Sequence, residues 1–212
     1  MRGALITFEG VEGSGKSSQC RRLAEDLRSR GIEVVATSEP DGTALGTAIR
    51  SLLNADGLAP TALSQVFLFL AARQQHVAQV IRPALSCGAI VISDRYTDAT
   101  VAYQGFGQSV ELEVIRDLNL LATGGLLPDL TLVLDLDPAV GMARIDGRPL
   151  DAFEKLDLAF HRRVREGYLE IARAEKRRVV VLRADQSEEA LAVDVMAAVS
   201  EALARREGLH VH

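Results

Sequence analysis

The residues with the clearest chemical signature lie near the start of the chain, in the run GVEGSGKS at positions 10–17. This run matches the phosphate-loop pattern G-x-x-x-x-G-K-[ST], in which glycines let backbone N–H groups point at phosphate oxygens. We expect Lys16 to reach the β- and γ-phosphates of a nucleotide and the Ser17 hydroxyl to ligate Mg²⁺. The alternative is an ordinary glycine-rich turn that carries a lysine by chance.

The segments on either side of the run argue against that alternative. Residues 4–8 are apolar and partly β-branched, as in a buried strand. Residues 18–30 carry Cys20, Leu23 and Leu27 at helical spacing. A strand, a glycine loop and a helix in this order are the context that a phosphate loop needs, and the helix N-terminus adds favourable partial charge.

A second pair of candidate residues, Asp94 and Arg95, directly follows the apolar run 89–93. In a chain with a phosphate loop, an acid at a strand tip is a natural partner of Mg²⁺ through a bound water. The adjacent arginine is suited to holding a phosphate with two hydrogen bonds. An ordinary ion pair at the end of a strand is the alternative.

Two further sets combine an aromatic ring with a polar group. Phe69 and Arg73 share one stripe of a predicted helix, where they could hold a base and a phosphate. Taken alone, a core phenylalanine and a solvated arginine are the favoured interpretation. Tyr103 and Gln104 could contact the face and the edge of a base, although a tyrosine-bearing turn is equally consistent with their spacing.

The elements that must position these residues alternate between strands and helices. Apolar runs predict strands at 5–8, 34–37, 89–93, 130–136 and 179–182. Helical patterns lie between them, so we expect a mostly parallel sheet with helices on both faces and ligands beyond the carboxyl ends of the strands. Thr43 is expected to cap a helix that reaches about Leu53.

Two other segments carry structural predictions, the helical region after position 61 and the interval 144–154. In the helical region after position 61, the spacing predicts a core face formed by Val66, Phe67, Leu70 and Ala71. Pro83 is expected to kink or restart that region. The polar interval 144–154 contains glycine and proline and breaks the periodicity, which predicts a mobile loop able to close over phosphates.

Length and composition limit the class of protein. With 212 residues, 48% of them hydrophobic, we expect one domain over residues 1–212. A net charge of −5 and few aromatic residues argue against a nucleic-acid or membrane surface. No apolar run is long enough to span a bilayer and no signal peptide is recognisable, so a cytoplasmic location is expected. Cys20 and Cys87 are interpreted as small buried hydrophobic residues.

Several segments, taken in order, closely resemble bacterial thymidylate kinases. They are FEGVEGSGKSSQ, SEPDGT, FLFLAARQQH, SDRYTDATVAYQG and the late R-x-x-E-x-Y-L-E-I. The resemblance covers essentially the whole chain. It implies an α/β P-loop nucleoside monophosphate kinase fold, with a five-stranded parallel sheet, helices on both faces, a short lid at about 144–154 and usually a homodimer. It implies transfer of a phosphoryl group from ATP to dTMP with Mg²⁺, giving ADP and dTDP for dTTP synthesis.

The resemblance also implies roles for individual residues. Glu12 would lie near the 3′-hydroxyl of the acceptor sugar, and Phe69 would stack on thymine. Arg73 and Arg95 would bind the phosphate of dTMP. The remaining residues implied at the acceptor site are Glu39, Pro40, Thr100, Tyr103 and Gln104. The residues implied at the ATP site are Gly10, Val11, Glu12, Gly13, Ser14, Gly15, Lys16, Ser17 and Ser18, and Mg²⁺ would be held by Ser17 and Asp94.

One position in the loop departs from part of the family. Some members carry an arginine where this chain has Gly13, so the resemblance implies that the lid supplies the charge, with Arg144 and Arg148 as candidates. The implied catalytic set is therefore Lys16, Arg95, Glu12, Arg144 and Arg148. The lid sequence 151–154 reads Asp-Ala-Phe-Glu, with alanine where an arginine is common.

Two other functions remain open from the sequence. A related kinase could use dUMP or another pyrimidine nucleotide as acceptor. A nucleotide switch or binding-only protein is the alternative from a different class, although the guanine-reading motif N-K-x-D does not occur in the chain.

Overall fold

The computed structural model describes residues 3–145, 147 and 149–208, and its centre is a five-stranded parallel sheet. The strands are β1 Leu5–Glu9, β2 Val34–Ser38, β3 Ile90–Asp94, β4 Leu130–Asp135 and β5 Val179–Arg183. Their order in the sheet is β2-β3-β1-β4-β5. Each lies within one residue of a strand predicted from the apolar runs, so the predicted α/β architecture is confirmed.

Helices connect the strands across both faces of the sheet. They are α1 Lys16–Ser29, α2 Ala44–Leu53, α3 Ala62–His76, α4 Arg82–Ser86, α5 Thr97–Thr100, α6 Leu112–Thr123, α7 Pro138–Arg144, α8 Leu158–Ala174 and α9 Glu188–Gly208. Two π-helical segments, Val77–Ile81 and Val101–Gly107, extend α3 and α5. No described helix has the length and apolarity needed to cross a bilayer. The single-domain assignment and the cytoplasmic location stay predictions.

The central strand β1 is buried along its whole length because both of its faces are covered. Successive side chains of a strand point to opposite faces. Leu5 accordingly packs with Val77 and Ile81, whereas Ile6 and Phe8 belong to the larger hydrophobic cluster on the other side. The sheet is therefore a rigid platform, and the loops that follow its carboxyl ends start from fixed positions.

The predicted capping of α2 is present. The Thr43 hydroxyl accepts a hydrogen bond of 3.1 Å from the N–H of Gly46, and α2 ends at Leu53 as expected. The predicted restart at Pro83 takes the form of the π-helical segment before α4. The segment 101–107 that carries Tyr103 and Gln104 is helical rather than a turn.

Two predictions about burial are wrong. On α3, Val66 and Leu70 are buried, but Phe67 is 54% exposed and Ala71 is exposed. One residue of an α-helix turns the side chain by about 100°, so the true core stripe runs through Val66, Leu70 and Arg73 and leaves Phe67 beside it. Cys20 is buried as expected, but Cys87 is exposed just after the end of α4.

Candidate active site

The phosphate loop joins β1 to α1 and packs closely against α7. Gly13 has a φ of +69°, and a Cβ atom at this position would lie 2.1 Å from the carbonyl oxygen of Gly141. An L-residue would therefore clash here as well as adopt a strained backbone. This close approach is a physical reason why the loop carries no arginine at this position.

Lys16 folds back onto the loop. Its Nζ donates to the carbonyl oxygens of Gly10 at 3.1 Å and Val11 at 2.9 Å, and the side chain is buried. Burial and the positive charge of Arg95 lower the pKa of Lys16. These carbonyl bonds hold the ammonium group at the mouth of the loop, where a phosphate oxygen could replace them.

Ser17 and Asp94 come together at the carboxyl edge of the sheet, although they are far apart in the sequence. The Ser17 hydroxyl donates to Oδ2 of Asp94 at 2.5 Å. Both side chains offer the hard oxygen atoms that Mg²⁺ prefers, and two protein oxygens leave room for phosphate oxygens and water. The donor chemistry of this pair therefore fits a magnesium ion.

Arg95 lies at the centre of the site in an uncommon backbone conformation, with a φ of +73°. Its N–H donates to the carbonyl of Phe8, and its NH2 group donates at 3.0 Å to both Glu12 Oε1 and the Tyr103 hydroxyl. The guanidinium lies 4.7 Å from the centroid of the Tyr103 ring. A strained backbone of this kind is characteristic of functional sites and fixes the direction of the side chain.

Glu12 projects from the phosphate loop into a cluster of polar groups. Its Oε1 accepts hydrogen bonds from Tyr103 and Arg95, and its Oε2 lies 3.2 Å from Nδ1 of His161. Burial opposes ionisation, but nearby His161, Arg95 and Lys16 outweigh it and hold the pKa of Glu12 well below its usual range. The side chain is therefore a carboxylate at neutral pH.

Glu9, three residues earlier, has the opposite electrostatic character. It is fully buried at the end of β1, where the Tyr96 N–H donates to Oε1 and the Tyr168 hydroxyl lies 2.7 Å from Oε2. Burial and the charge of Asp98 raise the pKa of Glu9 to about 8. The two carboxyl groups thus have different protonation states at neutral pH.

Replacing Glu9 with glutamine is expected to make the free energy of unfolding less dependent on pH. The folded-state pKa of Glu9 lies above its ordinary value of 4.5, so the stability that the protonated carboxyl provides is complete below pH 4.5 and is lost as the pH rises through about 8. The loss is at most about 1.4 kcal/mol per pH unit. In urea unfolding across this interval, the free energy of unfolding of the variant should rise relative to that of the wild type as the pH rises. Parallel pH dependences of the two proteins would contradict the raised pKa of Glu9.

Beside the loop lies a cavity with about 610 Å³ of empty space, including its open mouth. We call it the aromatic cavity. Its lining residues are Glu12, Glu39, Pro40, Arg50, Leu53, Asn54, Phe69, Arg73, Arg95, Ala99, Thr100, Tyr103, Gln104, Asp151 and Phe153. All the residues that the resemblance implies at an acceptor site line this cavity.

A second space, the phosphate-loop cavity, opens in front of the loop. Its lining residues are Glu12, Gly13, Gly15, Lys16, Ser17, Ser18, Ser38, Glu39, Asp41, Arg50, Asp94, Arg95, Arg144, Ile145, Asp151 and Glu154. Five residues, among them Glu12, Arg50 and Arg95, line both cavities. Two molecules bound in these spaces would therefore meet at one shared wall.

Arg73 occupies the floor of the aromatic cavity and is almost fully buried, with 2% of its side chain exposed. Its guanidinium donates four hydrogen bonds: Nε to Glu39, NH2 to the Tyr96 carbonyl, and NH1 to Thr100 and Asn119. NH2 also lies 2.7 Å from the Glu39 carboxylate. A contact between Arg73 and a phosphate would require one of these bonds to be exchanged.

The described part of the segment 144–154 contributes lining residues to both cavities. Arg144 donates from NH1 to the Gly13 carbonyl at 3.2 Å and from NH2 to the Ala184 carbonyl at 3.0 Å. The ring of Phe153 lies 5.8 Å from that of Phe69 and 6.0 Å from that of Tyr103. Arg148 lies outside the described residues. A charged group of this segment is thus already in contact with the phosphate loop.

Sequence reasoning missed four residues that the structure brings to the site: Arg50, Phe153, His161 and Tyr168. Arg50 donates from Nε to Asp41 and lies 3.9 Å from Asp151, so it bridges α2 and the segment 144–154. The seven-residue spacing of His161 and Tyr168 places both on one face of α8 and was a usable signal.

A phosphate loop facing one cavity, with a second cavity behind a shared wall at the carboxyl ends of a parallel sheet, defines a P-loop nucleotide kinase. A model of the family described as thymidylate kinase matches residues 8–195. The chain therefore belongs to the thymidylate kinase family.

Individual relatives are similar over nearly the full chain. A thymidylate kinase of Deinococcus radiodurans is 46% identical over 202 residues, which cover 94% of this chain and 98% of that protein. One of Solidesulfovibrio magneticus is also 46% identical, over 94% of this chain and all of that protein. A crystal structure of thymidylate kinase from Ehrlichia chaffeensis superposes with a TM-score of 0.77, at 35% identity over 94% of this chain and 99% of that chain.

Proposed function

We propose that this protein transfers the γ-phosphoryl group of ATP to dTMP, giving dTDP and ADP. The observation that carries this proposal is the wall shared by the phosphate-loop cavity and the aromatic cavity. Phosphoryl transfer depends mainly on positioning two reactants and neutralising their charge. A triphosphate on the loop and a nucleotide in the aromatic cavity would meet at Glu12 and Arg95.

On the donor side, the loop backbone and Lys16 bind the phosphates of ATP. Lys16 exchanges its bonds to the loop carbonyls for bonds to phosphate oxygens, which restores the hydrogen bonds of its buried ammonium group. Ser17 and Asp94 would hold Mg²⁺, Asp94 through a bound water. When bound, the ion supplies positive charge against the β- and γ-phosphates.

On the acceptor side, Arg95 binds the phosphate of dTMP, because its forked guanidinium faces the shared wall. Phe69 stacks on the base, and Gln104, which is buried and also lines the aromatic cavity, contacts the edge of the base. The acceptor oxygen is already anionic, so no strong general base is required. Glu12 receives the sugar hydroxyl, which suits a carboxylate that stays ionised.

The arginine that replaces the missing charge at Gly13 is Arg144 in this proposal. It already contacts the Gly13 carbonyl from α7, so a modest movement of its side chain brings it to the transferred group. Arg148 stays the alternative predicted from the sequence, and comparing the kcat of Arg144→Ala with that of Arg148→Ala distinguishes them.

An assay of ADP release with ATP and Mg²⁺ tests the proposal across dTMP, dUMP, dCMP and dGMP as acceptors. We expect dTMP to have the highest kcat/KM, with dUMP nearest because a methyl pocket discriminates by only about 1–3 kcal/mol. Omitting Mg²⁺ should abolish turnover. A better acceptor than dTMP would contradict the specific claim, and dTMP binding without turnover would favour a binding-only protein.

We also propose that the protein forms a homodimer through α3 and α6. These helices pack side by side and expose large apolar residues on their outer faces, Phe67 at 54% and Leu121 at 79%. Apolar residues grouped in this way mark interaction surfaces, and a second copy can cover them isologously. Light scattering should give twice the 22.9 kDa of one chain, and a monomer mass would contradict the proposal.

A further inference from the structure

His161 is a buried histidine that no step of the proposed reaction uses. It lies in the first turn of α8, with 1% of its surface exposed, and its ring packs edge-on against Phe160 at 5.2 Å. Asp157 caps the helix here by accepting the Phe160 N–H at 2.7 Å. The imidazole is therefore held by the helix immediately after the segment 144–154.

Between His161 and Glu12, three buried polar atoms lack hydrogen bonds. Within the described part of the chain, Glu12 Oε2 and both ring nitrogens of His161 have no hydrogen-bond partner. Nδ1 and Oε2 are only 3.2 Å apart, but the angle does not satisfy hydrogen-bond geometry. Buried polar groups left unpaired cost free energy, so a state in which these atoms pair has a definite advantage.

The two oxygens of Glu12 are consequently unequal. Oε1 accepts from Tyr103 and Arg95, both of which line the aromatic cavity. Oε2 faces His161 and the interior. A donor on Oε2 would fix the rotation of the carboxylate and thereby aim Oε1 at whatever lies against the shared wall.

We propose that His161 is a positioning residue for the reaction: it donates Nδ1–H to Oε2 of Glu12 when the acceptor is bound, so that Oε1 receives the sugar hydroxyl of the nucleotide. This inference rests on the proposed function. It predicts that the contribution of His161 to kcat/KM is confined to acceptors that carry the 3′-hydroxyl. The hydrogen bond from His161 is charge-assisted because Glu12 is ionised, which makes it stronger than a neutral one.

The test uses two substitutions that preserve different ring nitrogens. In His161→Asn the amide N–H lies where Nδ1 was, whereas in His161→Gln it lies where Nε2 was. Each variant is assayed with dTMP and with 3′-deoxy-dTMP, with kcat and KM determined separately. We expect His161→Asn to stay within about threefold of the wild type on both acceptors.

His161→Gln should lose about tenfold or more in kcat/KM with dTMP and less than threefold with 3′-deoxy-dTMP. Equal losses on the two acceptors, or full activity of His161→Gln on dTMP, would overturn the role of His161. A wild type that does not phosphorylate dTMP would instead overturn the proposed function, so the two failures are distinguishable.

If either variant folds poorly, a measurement on the wild-type protein tests whether His161 donates to Glu12 when the acceptor is bound. In the ¹⁵N spectrum of labelled imidazoles, addition of dTMP should move the Nδ1 of His161 to the position of a hydrogen-bonded N–H, and 3′-deoxy-dTMP should not. The absence of a difference between the two ligands would overturn the inference.

Discussion

Replacing Arg95 with alanine is expected to lower kcat/KM for dTMP by more than 10²-fold. The guanidinium contacts Glu12 on the wall that the two cavities share, and it also contacts Tyr103 in the aromatic cavity. In the proposed complex its removal would leave the acceptor phosphate without its cation. Burial alone would lower the pKa of Arg95. Its interactions with Tyr103, Tyr168 and Glu12 outweigh this effect and keep that pKa above its ordinary value. An unpaired phosphate charge in a partly buried site is costly in free energy.

Arg95→Lys is the matched variant for this prediction. Lysine keeps the charge but loses the planar fork that binds two oxygens at once, so we expect an intermediate loss of activity. The positive φ of residue 95 is common to both variants, which separates the chemistry of the side chain from strain in the backbone. Steady-state kinetics with purified variants provide the measurement. A loss of less than threefold in kcat/KM for Arg95→Ala would show that Arg95 does not bind the acceptor phosphate.

The parts of the molecule that were predictable from sequence are those that depend on local patterns. Buried strands appear as short apolar runs, and the phosphate loop is specified by glycines between a strand and a helix. Asp94 was predictable as a site residue because the carboxyl ends of parallel strands meet at one edge. The phosphate loop leaves β1 at the same edge, which brings Ser17 in the first turn of α1 to Asp94.

The parts that were not predictable depend on how helices pack and where their periodicity changes. The contact between His161 and Glu12 depends on the path of α8 over the phosphate loop, which no local pattern contains. The π-helical segment 101–107 is buried at six of its seven residues, so it has no exposed face whose alternation with a buried one could have identified it as a helix. Phe67 shows a related difficulty, since an apolar residue next to the core stripe looks the same in the sequence whether its side chain is buried or exposed.

Replacing Arg73 with methionine is expected to lower the free energy of unfolding by about 3–5 kcal/mol. The side chain is 2% exposed and its main charged partner, Glu39, is 5% exposed, so truncation leaves a carboxylate buried without its counterion. The carbonyl of Tyr96 and the side chains of Thr100 and Asn119 lose donors at the same time. Urea unfolding monitored by circular dichroism measures the change.

Arg50→Met is the matched control, since Arg50 pairs with Asp41 at the surface and its side chain is 40% exposed. An exposed ion pair contributes little to the free energy of unfolding, so this variant should lose less than about 1 kcal/mol of it. A double-mutant cycle with Glu39→Gln then isolates the buried pair. Removing Arg73 already leaves Glu39 without its arginine partner, although Glu39 keeps the contact to His76 Nδ1 at 3.2 Å. Neutralising Glu39 in the same chain should therefore recover about 0.5–3 kcal/mol relative to the sum of the single changes. Strict additivity would mean that the floor of the aromatic cavity is held by the neutral partners of Arg73 rather than by its charge.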